Sequence, residues 1–139
     1  MSIYKGTTLL AGLPDVSNKA NVDMDNLSSA GESYLAEIGM PSDTYEDFTL
    51  PTSGTSKTAP ANGYYIFRKT ANAAGQYIGL ANRGQNGTDT IADYTLQAYG
   101  VYMQLAVTCP AKKGDKVEFG YNTGGVSNLL RFVYAKGEV

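Results

Sequence analysis

The spacing of apolar side chains changes near residue 44, and this change constrains the fold more than any other feature. From there on, aromatic and aliphatic residues recur at every second position, the period of a β-strand with one buried face. Seven or eight short strands in close succession favour an all-β fold, an antiparallel β-sandwich or jelly roll. The predicted strands are Thr44–Leu50, Gly63–Lys69, Gln76–Ala81, Tyr94–Tyr99, Val101–Cys109, Lys116–Tyr121 and Leu129–Ala135. The predicted turns are Thr52–Ser56, Asn72–Gly75, Asn82–Thr88, Lys112–Asp115 and Asn122–Ser127.

The composition agrees with such a fold. The chain of 139 residues has room for one ordinary domain, and it holds 11 tyrosines and 16 glycines. Tyrosine favours strands, and glycine supplies the tight turns between them. Tyrosine-rich surfaces also suit adhesion, although tyrosines that only line strands would give the same composition.

Several classes of function are excluded by the residues that the chain lacks. It has no histidine and a single cysteine, Cys109, which we expect to be buried and inert. The adjacent carboxylates of Glu46 and Asp47 point to opposite faces of a strand and cannot act as a catalytic pair. We therefore expect a protein that is not an enzyme and that uses no cofactor and no metal ion.

Charge and hydropathy limit the partners as well. The net charge is −2 and the pI is about 5.0, without the basic excess of a nucleic-acid binder. No apolar run is long enough for membrane insertion, and the N-terminus lacks the apolar core of a signal peptide. Synthesis in a cytoplasm is the expectation.

The N-terminal third differs from the rest of the chain. Residues 1–50 carry 2 positive and 8 negative side chains, whereas residues 51–139 carry 9 and 5. An extended, polar leader is followed by a capping box, Ser29 with Glu32, which predicts a short helix over about 29–38. We divide the chain into an N-terminal attachment and trimerisation segment, 1–43, and a β-sandwich head, 44–139.

Two loops have the residues of a binding site. The loop from Asn82 to Asp89 is long for a hairpin and combines a guanidinium with side-chain amides, groups that bind sugar hydroxyls. A second candidate is Asn122–Asn128, and simple exposed connections remain the alternative for both. The candidate receptor-binding residues are Asn82, Arg83, Gln85, Asn86, Asn122 and Asn128.

Two phrases resemble the jelly rolls of the C1q/TNF family. They are P-x-x-G-x-Y-x-F at Pro60, Gly63, Tyr65 and Phe67, and G-D-x-V at Gly114, Asp115 and Val117. This resemblance implies a C1q/TNF-like sandwich and trimerisation. Tyr65 and Phe67 share one face of their strand, which is either the core or the three-fold axis.

A second resemblance extends over nearly the whole chain, to tail-fibre proteins of bacteriophages. The phrases that carry it are Tyr4–Gly12, Asn18–Leu27 with Ser28–Gly31, Gly39–Ser42, and Arg131–Glu138. It implies a virion protein made in the cytoplasm of a bacterial host, with partners among other virion proteins, bound through residues 1–43, and a host surface glycan or protein. The residues expected at trimer or packing contacts are Val22, Met24, Leu27, Leu35, Ile38, Tyr65 and Phe67.

The sequence thus predicts a homotrimeric tail-fibre or receptor-binding component that acts by multivalent adhesion. The alternative within virions is a capsid head-fibre or decoration protein that docks to the shell through residues 1–43. Two other classes are disfavoured: a small carbohydrate-active enzyme, and a cytokine-like ligand with the C1q/TNF fold.

Overall fold

The computed structural model describes residues 39–125 and 128–137, which form two four-stranded antiparallel sheets and no helix. The strands are β1 (Pro41–Asp47), β2 (Thr55–Thr58), β3 (Gly63–Thr70), β4 (Tyr77–Asn82), β5 (Ala92–Gln97), β6 (Gln104–Ala111), β7 (Lys116–Tyr121) and β8 (Asn128–Ala135). The predicted all-β antiparallel sandwich is confirmed. Among the described residues, no helix is long and apolar enough to cross a membrane.

The pairing of the strands is nested. β1 pairs with β8, β2 with β7, β3 with β6 and β4 with β5, always antiparallel. Two further pairs, β3 with β8 and β4 with β7, join these ladders into the sheets β1-β8-β3-β6 and β2-β7-β4-β5. The chain therefore follows the path of one long hairpin that has been rolled up.

The core lies between the two sheets and is built around aromatic rings. β3 alternates strictly, so that Tyr65 and Phe67 point inward and are completely buried. The ring of Tyr65 meets those of Phe119 and Phe132 edge to face, with centroids 5.5 and 4.9 Å apart. Its hydroxyl donates to the carbonyl of Thr58 at 3.1 Å. Of the two positions left open by the sequence, Tyr65 and Phe67 occupy the core.

One strand is absent from the sequence prediction. Thr55–Thr58 was assigned in part to a turn, Thr52–Ser56, but it forms β2 at the edge of its sheet. Its four residues are polar and show no apolar alternation. It is a strand because its backbone pairs with β7, from Thr55 opposite Phe119 to Thr58 opposite Lys116.

The boundaries of β5 and β6 also differ from the prediction. Tyr94–Tyr99 and Val101–Cys109 were expected as strands, but the chain leaves β5 at Gln97 and enters β6 only at Gln104. Tyr99, Val101 and Tyr102 supply apolar residues that imitate a strand pattern, yet they lie exposed in the loop between the two strands.

The N-terminal predictions lie outside the described residues. This holds for the helix at 29–38 and for Val22, Met24, Leu27, Leu35 and Ile38. The described residues belong to one compact unit that spans 37–139, and β1 begins at Pro41, ahead of the expected boundary at residue 44.

The sandwich has two distinct ends. At the entry end, where the chain reaches β1, Pro41 lies opposite Ala135 and Gly63 opposite Ala111. The loops of the entry end are 59–62, 83–91 and 112–115, together with residues 39–40 and 136–137. The described loops of the far end are 48–54, 71–76, 98–103 and 122–125. The candidate loops of the sequence thus fall on opposite ends.

Candidate functional site

The guanidinium of Arg83 is engaged within its own loop at the entry end. Its Nε forms a salt bridge with Glu118 Oε2 at 3.1 Å, and its Nη1 donates to Thr90 Oγ1 at 2.7 Å. The side chain is about one quarter exposed, 27%. Arg83 therefore ties the loop to β7, and only part of its fork faces solvent.

Asn82 is buried at the end of β4, with only 2% of its surface exposed. Its Nδ2 donates to the carbonyl of Pro110 at 3.1 Å and to Asp115 Oδ2 at 2.9 Å. Its Oδ1 accepts from the backbone N–H of Gly84 at 2.9 Å. These bonds join three segments of the entry end, so the amide of Asn82 supports the loop and does not face a ligand.

We expect Asn82→Asp to destabilise the protein at neutral pH. The variant keeps the shape of the side chain but sets a second carboxylate against Asp115, and two such groups in contact cannot both stay ionised. The expected loss is about 1–3 kcal/mol, the cost of an unsatisfied buried group. Burial next to another carboxylate raises the pKa of the introduced carboxyl, so the loss is present at pH 7 and shrinks as the pH falls toward about 4.

Urea unfolding at pH 7 and at about pH 4 measures this effect. Asn86→Asp is the matched control, because Asn86 also donates to a carboxylate, Asp89 Oδ2 at 2.8 Å, but at the exposed surface. We expect it to change stability by less than about 0.5 kcal/mol. Equal losses in the two variants would refute a structural role specific to Asn82.

The remaining candidates at the entry end are exposed but have partners in the protein. Asn86 Oδ1 accepts from the backbone N–H groups of Thr88 and Asp89, at 3.0 and 3.3 Å. Gln85 Nε2 donates to the carbonyl of Lys113 at 3.1 Å. The loop that the sequence favours for binding is therefore held together largely by its own polar groups.

A cleft of about 280 Å³ opens beside this loop. It is lined mostly by apolar surface, including Tyr64, Ile91 and Pro110, with Lys112 and Asp115 at its polar side. Ile91 is exposed, whereas the Asp115 carboxylate is buried and accepts from the N–H of Lys112 at 2.9 Å.

The two candidates at the far end also support the fold. Asn122 Oδ1 accepts from the N–H of Tyr77 at 2.7 Å, and Asn128 Oδ1 accepts from Lys69 Nζ at 2.6 Å. Lys69 is buried, its ammonium lies 5.1 Å from the centre of the Tyr121 ring, and burial lowers its pKa. Asn128 thus satisfies a buried cation.

The most exposed aromatic residues of the described chain belong to a loop whose sequence predicts strands. Tyr99 and Tyr102 are 88% and 84% exposed, and Val101 between them is also exposed. Gly100, between the two tyrosines, is the sequence signal for a loop here, because a glycine weakens the interior of a strand. The predicted strands break at this glycine, but they include both tyrosines.

The far end is free of charged side chains throughout its described loops. Residues 48–54, 71–76, 98–103 and 122–125 contain no Asp, Glu, Lys or Arg. The entry end, in contrast, carries Arg83, Asp89, Lys112, Lys113 and Asp115 in its loops. The two ends are therefore suited to different partners: one is ionic, and the other is neutral, aromatic and rich in amides.

The Cys109 thiol and the Asp47 carboxylate are also unreactive or already paired. Burial raises the pKa of the Cys109 thiol to about 11, so at neutral pH it is an uncharged, poorly nucleophilic group. Asp47 forms a bidentate pair with Arg131, at 2.6 and 2.9 Å, whose hydrogen bonds lower the pKa of that carboxyl. Within 39–125 and 128–137, no group of three or more acidic or cysteine side chains is placed to hold a metal ion.

Comparison of the chain with protein-family models, with curated protein sequences and with solved structures found no match.

Proposed function

We propose that this chain is a structural protein of a bacteriophage virion, a short tail-fibre or receptor-binding component that acts by multivalent adhesion and not by catalysis. The observation that carries the proposal is the two-ended sandwich. The chain enters it at Pro41, and the exposed aromatic loop that contains Tyr99 and Tyr102 lies at the opposite end. A head that is held at one end presents its other end to the host.

The nested strand pairing supports a jelly roll for this head. In a jelly roll, an eight-stranded hairpin is rolled so that its successive strand pairs alternate between two facing sheets. The observed pairs, from β1 with β8 to β4 with β5, follow that path, and the two sheets face each other across one core. This agrees with the C1q/TNF-like architecture that the resemblance implies.

An apolar row on the outside of the sheet β1-β8-β3-β6 supports association with further copies. The outer face of a sandwich is usually polar. Here Tyr45, Val133, Tyr64 and Pro110 stand opposite one another across all four strands. Ile66 belongs to the next row on this face, opposite Arg131 and Thr108. Tyr45 and Pro110 are exposed, and the other three apolar residues are half-buried.

A polar atom in this face lacks a partner. Nε of Arg68 is buried and makes no hydrogen bond with any described residue. On the edge strand β5, Asp93 is exposed, and so are Tyr94 and Leu96, whose side chains point to the other face of the strand. We infer that the β5 edge of one chain packs on the outer face of the next, with Asp93 within reach of Arg68. Repeated around a three-fold axis, this heterologous contact would form the homotrimer that the resemblance implies.

Light scattering during size exclusion tests the trimer on the full chain. We expect about three times the chain mass of 14.8 kDa for the wild type. Ile66→Glu, which replaces an apolar side chain next to the apolar row by a carboxylate opposite Arg131, is expected to give monomers. Thr58→Glu is the matched control on the outer side of the other sheet, opposite Lys116, and should stay trimeric.

Circular dichroism shows whether each variant is folded. A monomeric wild type, or an Ile66→Glu variant that is folded and still trimeric, would contradict the proposed contact. Full-length protein used as bait against separated tail and capsid fractions then distinguishes the two virion locations. Capture of capsid protein alone would refute the tail fibre and favour the decoration protein.

A further inference from the structure

The backbone of Tyr102 has an unusual conformation. Its φ is +58°, and it is the only non-glycine residue with positive φ in the part of the chain that the structure describes. The left-handed region is unfavourable for a bulky side chain, because Cβ crowds the neighbouring carbonyl. Residues held in such conformations are concentrated at binding and catalytic sites.

The surrounding loops hold this conformation in place. The N–H of Tyr102 donates to the carbonyl of Ala71, and the N–H of Ala71 donates to that of Met103, both at 2.8 Å. The N–H of Tyr99 lies 3.4 Å from the sulfur of Met103. Loops 71–76 and 98–103 thus form one supported platform.

Core packing does not account for the platform, because the rings of Tyr99 and Tyr102 point into solvent. Tyr99 and Tyr102 are the two most exposed large hydrophobic side chains among the described residues. Single exposed apolar residues are ordinary, but three within four residues of one hydrogen-bonded loop, Tyr99, Val101 and Tyr102, indicate an interaction surface.

The other loop of the platform, 71–76, carries two side-chain amides. Gln76 Nε2 donates to Asn72 Oδ1 at 2.6 Å, and the N–H of Asn72 donates to Gln76 Oε1 at 2.9 Å. None of the described residues accepts a hydrogen bond from Nδ2 of Asn72. We define the tyrosine tip as Tyr99, Val101, Tyr102, Asn72 and Gln76.

We propose that the tyrosine tip binds an uncharged saccharide, an inference that rests on the adhesive function proposed above. One face of a sugar ring presents C–H groups, which pack on an aromatic ring, and its hydroxyls pair with amides. The described far-end loops offer no charge to a phosphate, a sulfate or a carboxylate. Protein interfaces are also enriched in tyrosine, so a protein receptor is the alternative outcome of the test.

Binding of full-length protein to immobilised polysaccharides tests this proposal. The probes are three neutral polymers, dextran, mannan and galactan, and one charged polymer, dextran sulfate. We expect retention on at least one neutral polymer and none on dextran sulfate. Tyr99→Ala and Tyr102→Ala are each expected to weaken retention by about tenfold.

Two further variants separate binding from folding. Tyr102→Gly removes the ring and also relieves the backbone strain, so it should be at least as stable as the wild type while losing binding. Ile91→Ala removes an exposed apolar side chain at the entry end and should bind like the wild type. Unchanged binding by Tyr102→Gly would refute the tip as the site.

The remaining outcomes distinguish this proposal from the function on which it rests. A wild type that binds no neutral polymer, or only dextran sulfate, refutes the ligand class. If protease treatment of bacterial cells abolishes binding and periodate treatment does not, the receptor is a protein. This outcome also refutes the ligand class. The mass of the same samples tests the trimer independently of saccharide binding. A trimer that binds no saccharide refutes the site alone. A monomer that binds saccharide refutes the trimeric fibre alone.

Discussion

Gly63→Ala is expected to destabilise the sandwich by about 3 kcal/mol or more, because the added methyl group has no room. A Cβ at Gly63 would overlap the carbonyl oxygen of Val133 and would lie 2.7 Å from the ring of Phe132. The backbone cannot move aside easily, since Gly63 is paired with Ala111 on one side and with Tyr134 on the other.

Urea unfolding followed by circular dichroism measures the effect. Gly100→Ala is the matched control, because no atom lies within 4 Å of the position that its Cβ would take. We expect the control to change stability by less than about 0.5 kcal/mol. Similar unfolding midpoints for the two variants would contradict the close approach of β3 and β8.

Phe132→Ala is expected to cost about 3–5 kcal/mol, the range for removing a large aromatic side chain from a core. Phe132 is completely buried, and its ring centre lies 4.9 Å from that of Tyr65 and 5.2 Å from that of Tyr134. Its removal leaves a cavity between the sheets and takes away two edge-to-face contacts.

The same unfolding measurement checks this prediction, with Tyr99→Ala as the aromatic control at the surface. The control should unfold at nearly the same urea concentration as the wild type, since Tyr99 is almost fully exposed. A loss of less than about 1 kcal/mol for Phe132→Ala would show that the core is not packed around this ring.

The sheets could be predicted where one face of a strand is buried. β3 and β7 start where their apolar alternation starts, because inward residues such as Phe67 and Phe119 must be apolar. β2 could not be predicted, because the strand conformation of Thr55–Thr58 comes from backbone pairing with β7, which leaves no trace in its side chains.

The candidate site was harder to predict than the fold. Asn82 and Asn128 lie in polar segments whose sequence predicts loops. The sequence does not show that the Asn82 amide bonds to Asp115 and the Asn128 amide to Lys69, because these partners are distant in the chain. Conversely, the alternation around Tyr99 indicated a strand, although the residue is exposed. Which polar groups are already paired depends on contacts between distant residues, and spacing along the chain does not contain that information.

The positions of the two ends determine how a pulling force would pass through the sandwich. A pull that enters at Pro41 and is resisted at the far end runs parallel to the strands. All the hydrogen bonds between β1 and β8 then share the force, since they lie across its direction. A pull between Pro41 and Ala135, which lie side by side at the entry end, would open the same ladder one pair at a time. A head loaded between its attachment and its tip is thus strained in the direction in which its sheets resist best.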